Sequence, residues 1–119
     1  MIVDDEQDIQ LLFRQKFRKE LKQEQIKLYF AYSAEEAIAY LQNHHINCLS
    51  VILTDINMPG MNGLEMLKVI KDNYPDLKVI VVTAYDDENH YLTAKNYGAD
   101  DYIVKPIEFE QLKNKILNL

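Results

Sequence analysis

A chain of 119 residues, 48% hydrophobic and 27% charged, suits one domain around a single core and leaves no room for a second. The formal charge of −6 argues against direct nucleic-acid binding, which needs a basic surface. No run has the length of a membrane span or the pattern of a secretory leader, and the lone Cys48 has neither a disulfide partner nor companions at zinc-ligand spacing, so a cytoplasmic, reducing location is expected.

In chain order, short apolar runs that suit buried strands fall at Ile2 to Val3, Leu28 to Ala31, Val51 to Thr54, Val79 to Val82 and Tyr102 to Val104. Segments of helical period lie between them. The first carries Ile9, Leu12, Phe13, Phe17 and Leu21; the second, Ala34, Ala37, Ile38 and Leu41; the third, Leu64, Leu67, Ile70 and Tyr74. A weaker fourth surrounds Leu92 and Ala94, and the chain closes on Phe109, Leu112, Ile116 and Leu119. Ser33 to Glu36, "SAEE", has capping-box spacing at the start of the second helix, Pro75 stops the third, and Gly98 caps the fourth.

Strand and helix alternating five times predict a parallel sheet with right-handed crossovers and helices on both faces. The fold class is therefore α/β, a single (βα)5 flavodoxin-like doubly wound domain with its five-stranded sheet in the order 2-1-3-4-5. In such sheets ligands bind at the carboxyl ends of the strands, near the switch point between the first and third strands.

The residues that follow each apolar run are then informative. Asp4 and Asp5 follow the first, Asp55 the third, Thr83 the fourth and Lys105 the fifth, all on one edge. Three converging carboxylates repel one another by roughly 4 kcal/mol per pair at about 4 Å and an effective dielectric near 20. An all-oxygen site of this kind suits Mg²⁺, with Mn²⁺ the alternative, held beside a phosphoryl group. Taken singly, Lys105 reads equally well as a counter-ion for Asp55, and Thr83 as a strand-end residue. Together they suit a phosphoryl ligand, with the ammonium offsetting its charge and the hydroxyl donating to its oxygen. Asp is a nucleophile in phosphoryl transfer. Asn57, two residues past Asp55, is an amide without acid–base capacity, so the site is expected to accept a phosphoryl group and turn it over slowly.

Over essentially the whole chain these residues resemble the receiver domain of two-component response regulators. The resemblance rests on "VDDE" at 3 to 6, "LTDINMPGMNGLEML" at 53 to 67, "VVTAY" at 81 to 85 and "GADDYIVKPIEFEQL" at 98 to 112. It implies that Asp55 is the phospho-acceptor. Asp5 would ligate the metal directly, Asp4 mainly through water, and Asn57 through its backbone carbonyl. It also implies that Thr83 hydrogen-bonds the phosphoryl group, that Lys105 pairs with it, that Tyr102 is the aromatic that swings inward, and that the Lys105–Pro106 peptide is cis. The implied donor is a phosphohistidine on a sensor histidine kinase or phosphotransfer protein, or a small acyl phosphate. The implied recipient is a downstream effector domain or protein, reached through the surface of the fourth helix, fifth strand and fifth helix. Ala84, after the threonine, leaves an approach to the site.

Departures from the family bear on the rest. Only Met1, Ile2 and Val3 precede Asp4, fewer residues than usual for the first strand, and residues 1–119 are expected to form a receiver that stands alone or begins a longer regulator. "IEFEQLKNKI" after Pro106 differs from the pattern of one large DNA-binding subfamily, which weakens the case for dimerisation in that subfamily's manner. A phosphorylation-dependent homodimer stays among the expected partners. Arg14, Arg18 and Lys22, with Lys19 nearby, read as a solvated face in preference to a kinase-docking stripe. His44 and His45 read as loop polarity. Tyr85, beside the expected water path, is expected with Asn57 to slow hydrolysis of the phospho-aspartate. The competing readings are a small Mg²⁺-dependent phosphohydrolase using Asp55 and a pseudo-receiver that binds without chemistry. The expected activity is confined to the chain's own phosphoryl transfer and slow autodephosphorylation.

Overall fold

The computed structural model describes residues 1–43, 49, 51–83 and 88–117. Within them the chain runs β1 (Ile2–Val3), α1 (Asp8–Lys16), α2 (Arg18–Lys22), β2 (Phe30–Ala31), α3 (Ala34–Asn43), β3 (Val51–Asp55), α4 (Gly63–Asn73), β4 (Lys78–Thr83), α5 (Glu88–Asn96), β5 (Asp101–Val104) and α6 (Phe109–Leu117). The strands of the described residues form one parallel sheet in the order β2-β1-β3-β4-β5, the doubly wound order that the alternation predicts.

Alternation of side chains along the strands divides the core in two. Val3, Ile52, Val79 and Val81 face α3, α4 and α5, where Ala34, Ala37, Leu41, Met66, Leu67, Ile70 and Ala94 close over them. Ile2, Leu53, Ile80, Val82 and Ile103 face the other way, toward Phe13, Phe17 and Leu112. β3 and β4 are interior strands buried on both faces, which explains their near-continuous apolar sequence.

The expected single first helix is interrupted. Backbone dihedrals leave the α region at Phe17 (φ −102°, ψ 17°), separating α1 from α2. The apolar period continues across the break because both aromatic rings belong to one cluster. Phe13 and Phe17 stack with centroids 5.8 Å apart, and both meet the ring of Phe109 edge-on. α2 itself buries no residue and is held by neighbours such as the Lys113–Glu20 ion pair at 2.8 Å.

Local signals mostly act as expected. Ser33 Oγ accepts the Glu36 N–H at 3.0 Å, although the Glu36 carboxylate reaches past the cap to the Tyr32 N–H. The Gly98 and Ala99 amides donate back to Lys95 and Ala94, a Schellman closure of α5 that requires the positive φ of +92° at Gly98. α4 starts with a full capping box, Asn62 against Glu65, which the sequence carries as Asn-x-x-Glu. The basic stripe is not wholly solvated, since the Arg14 guanidinium lies 5.3 Å over the ring of Phe30. No helix among the described residues is long and apolar enough to cross a membrane. His44, His45, Cys48, Ala84 and Tyr85 lie outside the described residues.

Candidate functional site

Register places the site. Val3 pairs with Thr54, so the next residues, Asp4 and Asp55, emerge side by side at the carboxyl ends of β1 and β3. Asp55 pairs with Val82 and Thr83 with Val104, so Thr83 and then Lys105 come up successively at the ends of β4 and β5. This edge, at the reversal of strand order between β1 and β3, is where ligands of doubly wound sheets sit.

Asp55 is nearly buried, its side chain 10% exposed. Two contacts fix its carboxylate: Oδ1 accepts the Ile56 N–H at 2.8 Å, and Oδ2 faces Lys105 Nζ at 3.1 Å. The lysine is 44% exposed, so it reaches Asp55 from the solvent side. Burial lowers the Lys105 pKa, but the hydrogen bond and charge of Asp55, with Asp4 and Glu6 behind it, hold the ammonium above its ordinary value. The Lys105–Pro106 peptide is cis, and the Lys105 N–H donates to the Thr83 carbonyl at 2.9 Å.

Asp4, Asp5 and Asp55 each offer an oxygen within 4.8 Å of the others. Asp4 is half-buried, and its Oδ1 accepts the Glu6 N–H at 2.9 Å. Burial raises the carboxyl of Asp4 above its ordinary value; the Glu6 amide opposes this and the charge of Asp55 adds to it. Against three carboxylates stands the single ammonium of Lys105 among the described neighbours. A hard, all-oxygen donor set with surplus negative charge fits a divalent cation of the Mg²⁺ type. Asn57 is exposed in the loop after Asp55, with Gly63 N–H closing that loop onto the Ile56 carbonyl at 2.8 Å.

The two residues expected to switch both point away from Asp55. The buried Thr83 hydroxyl donates to the Ile103 carbonyl at 3.4 Å. Tyr102 is exposed on the outer side of β5. There its ring meets that of Tyr91 of α5 edge-on, centroids 4.2 Å apart, and a hydrogen bond between the two side chains pushes the Tyr102 phenol above its ordinary pKa. Tyr91 carries no motif of its own, and only the fold places it against Tyr102.

Beside this site lies a cleft of about 620 Å³ whose lining includes Asp4, Asp55 and Lys105 together with the apolar Ile9, Leu12, Phe13 and Phe109. The Asp55 carboxylate is thus reachable from outside.

A family model for the response regulator receiver domain matches residues 1–117. The heme response regulator HssR of Staphylococcus haemolyticus is 37% identical over 116 residues, covering 98% of this chain and 48% of that protein. A cyclic di-GMP phosphodiesterase of Thermotoga maritima is 34% identical over 116 residues, covering 98% and 29%. The chain spans less than half the length of these curated relatives. Among solved structures, a CheY-like receiver domain protein from Methanospirillum hungatei matches with TM-score 0.79 at 32% identity, covering 98% of this chain and 91% of that one. A receiver domain protein from Clostridium thermocellum gives 0.83 at 28%, covering 98% and 89%. Topology, register and sequence agree, and the chain belongs to the response regulator receiver domains of two-component systems, a family of phosphorylation-dependent signalling switches.

Proposed function

We propose that this domain takes a phosphoryl group onto Asp55 from a phosphohistidine of a sensor kinase or phosphotransfer protein, or from a small acyl phosphate, with Mg²⁺ as cofactor. The observation that supports it is the placement of one nearly buried, ion-paired carboxylate, Asp55, beside two further carboxylates at an open strand end. An Asp55 oxygen attacks the phosphorus, an acyl phosphate forms, and the donor's bond to phosphorus breaks with its electron pair leaving on the donor. Asp4, Asp5, Asp55 and the Asn57 carbonyl would hold the metal, which supplies charge neutralisation for the transferring phosphoryl oxygens. Lys105 exchanges its carboxylate partner for a phosphoryl oxygen. Asn57 contributes no proton chemistry, and with Tyr85 it keeps hydrolysis slow.

Conformational consequences follow from the same contacts. A phosphoryl oxygen competes with the Ile103 carbonyl for the Thr83 hydroxyl, since a charged acceptor is the stronger one. Rotation of Thr83 toward the site vacates space that Tyr102 fills. The reshaped surface of α5, β5 and α6 is then read by an effector domain or protein, or by a second copy of the chain. Forms separated by a few kcal/mol suffice for such a shift.

Incubation with acetyl phosphate and Mg²⁺, followed by intact mass, tests the reading. One phosphoryl adduct that persists, and that is lost in Asp55→Asn, is expected. Rapid catalytic turnover would favour a phosphohydrolase instead. Absence of both adduct and metal binding would make the chain a pseudo-receiver.

A further inference from the structure

We infer that Glu35 is a positioning residue for the phospho-accepting site, acting from another element on the loop between β3 and α4. This rests on the reading of that site given above. Glu35 lies in the first turn of α3, 26 residues from its partner in sequence, and its Oε1 accepts the Met61 N–H at 2.7 Å. The carboxylate sits so close to the loop that a Cβ at Gly60 would come within 2.8 Å of it, and Gly60 also takes a positive φ of +76°. A glycine therefore serves twice there, for the turn and for the approach of Glu35.

The loop so held carries the site. Its first residue, Ile56, donates to Asp55 Oδ1 and accepts from Gly63, and Asn57 follows directly. Its far end is fixed by the Asn62–Glu65 capping box. Between those ends, the Glu35–Met61 bond ties the loop to α3. If that tie is lost, the Pro59–Met61 turn is free to move, and with it the Asn57 carbonyl assigned to the metal. The Met61 amide, with the Glu35 backbone amide, holds the carboxyl below its ordinary range although burial opposes it, so the acceptor is ionised at neutral pH. Partners behind metal ligands typically set affinity by about 10-fold or more.

The test compares Glu35→Ala with Glu35→Gln, which keeps an acceptor oxygen without the charge. Mg²⁺ affinity is measured by calorimetry, and amide exchange of residues 57–62 is measured in metal-free protein. Glu35→Ala is expected to bind Mg²⁺ about 10-fold more weakly and to exchange faster across the loop, with Glu35→Gln restoring most of both. Unchanged Mg²⁺ affinity in Glu35→Ala, where the wild type binds, overturns the inference alone. Equal impairment of Glu35→Gln overturns it too, because the effect would then be one of charge and not of a held loop. A wild-type chain that binds no Mg²⁺ overturns the inference together with the reading of the site.

Discussion

Replacing Asp4 by Asn should make the metal-free domain more stable. Oxygens of Asp4, Asp5 and Asp55 lie within 4.8 Å of one another, a separation at which unit charges repel by roughly 3.5 kcal/mol at an effective dielectric near 20. Lys105, 3.1 Å from Asp55, cancels part of this. Asp5 is exposed and Asp4 half-buried, so solvent screening reduces the remainder to about 1 kcal/mol. Asn retains the oxygen that accepts the Glu6 amide at 2.9 Å. In a domain of this size the gain corresponds to a rise in Tm of about 3–5 °C at pH 7 in EDTA. The sign follows from the raised pKa of Asp4. Because the folded chain binds the proton more tightly than the unfolded one, its stability is fully present below the ordinary value of 3.8 and is lost as pH rises through the folded pKa. The advantage of Asn therefore vanishes near pH 3 and grows toward neutrality. Saturating Mg²⁺ should reverse the ranking, since a ligand at 100 times its Kd adds about 2.7 kcal/mol to a folded state that binds it. Thermal unfolding with and without Mg²⁺ decides the matter. A variant less stable than wild type in EDTA, or stabilised equally by Mg²⁺, would refute the reasoning.

Two further substitutions probe the surroundings. Tyr91→Leu removes the edge-on ring contact and hydrogen bond that hold Tyr102 outward; such a pair is worth about 0.5–1.5 kcal/mol. The variant should bind beryllofluoride in the presence of Mg²⁺ roughly 2- to 10-fold more tightly in an NMR titration, and unchanged or weaker binding counts against the latch. Gly63→Ala puts a Cβ within 2.1 Å of the Asp55 carbonyl oxygen, a backbone clash that no rotamer relieves. Urea unfolding should show a loss of more than about 3 kcal/mol, and an unmoved midpoint would mean that the close approach of β3 to α4 is not required.

Much of this architecture is legible from the chain because it is written in local pattern. Strand–helix alternation sets the parallel order, and reading the residue after each apolar run brings Asp4, Asp5, Asp55, Thr83 and Lys105 to one edge. The break at Phe17 is not legible, because the apolar period runs through it and what fixes it is a ring cluster with Phe109, 92 positions away. Glu35 and Tyr91 are illegible for a related reason. A glutamate in a helix's first turn and a tyrosine on a half-exposed helix face are commonplace, and they acquire meaning only when Gly60 and Tyr102 are brought beside them. Side-chain state is equally hidden, as sequence names Thr83 and Tyr102 without saying that both face away from Asp55.

The mechanical asymmetry of the sheet gives those orientations their importance. Asp55 ends β3, which is paired on both sides and buried on both faces, so a charge added there finds little that can give way on the strand itself. β5 lies at the margin, paired only with β4, with Ile103 its one buried residue, and α5 beside it buries only Ala94 among its described residues. Elements with little buried apolar contact open at low free energy. The Thr83 hydroxyl bonds to the Ile103 carbonyl, and the Lys105 amide bonds to the Thr83 carbonyl. The two groups proposed to meet the phosphoryl group are therefore anchored to a marginal strand that buries one residue. On the proposed function, a pull of a few kcal/mol applied at Asp55 would thus be spent at β5 and its neighbouring helix, where Tyr102 is exposed.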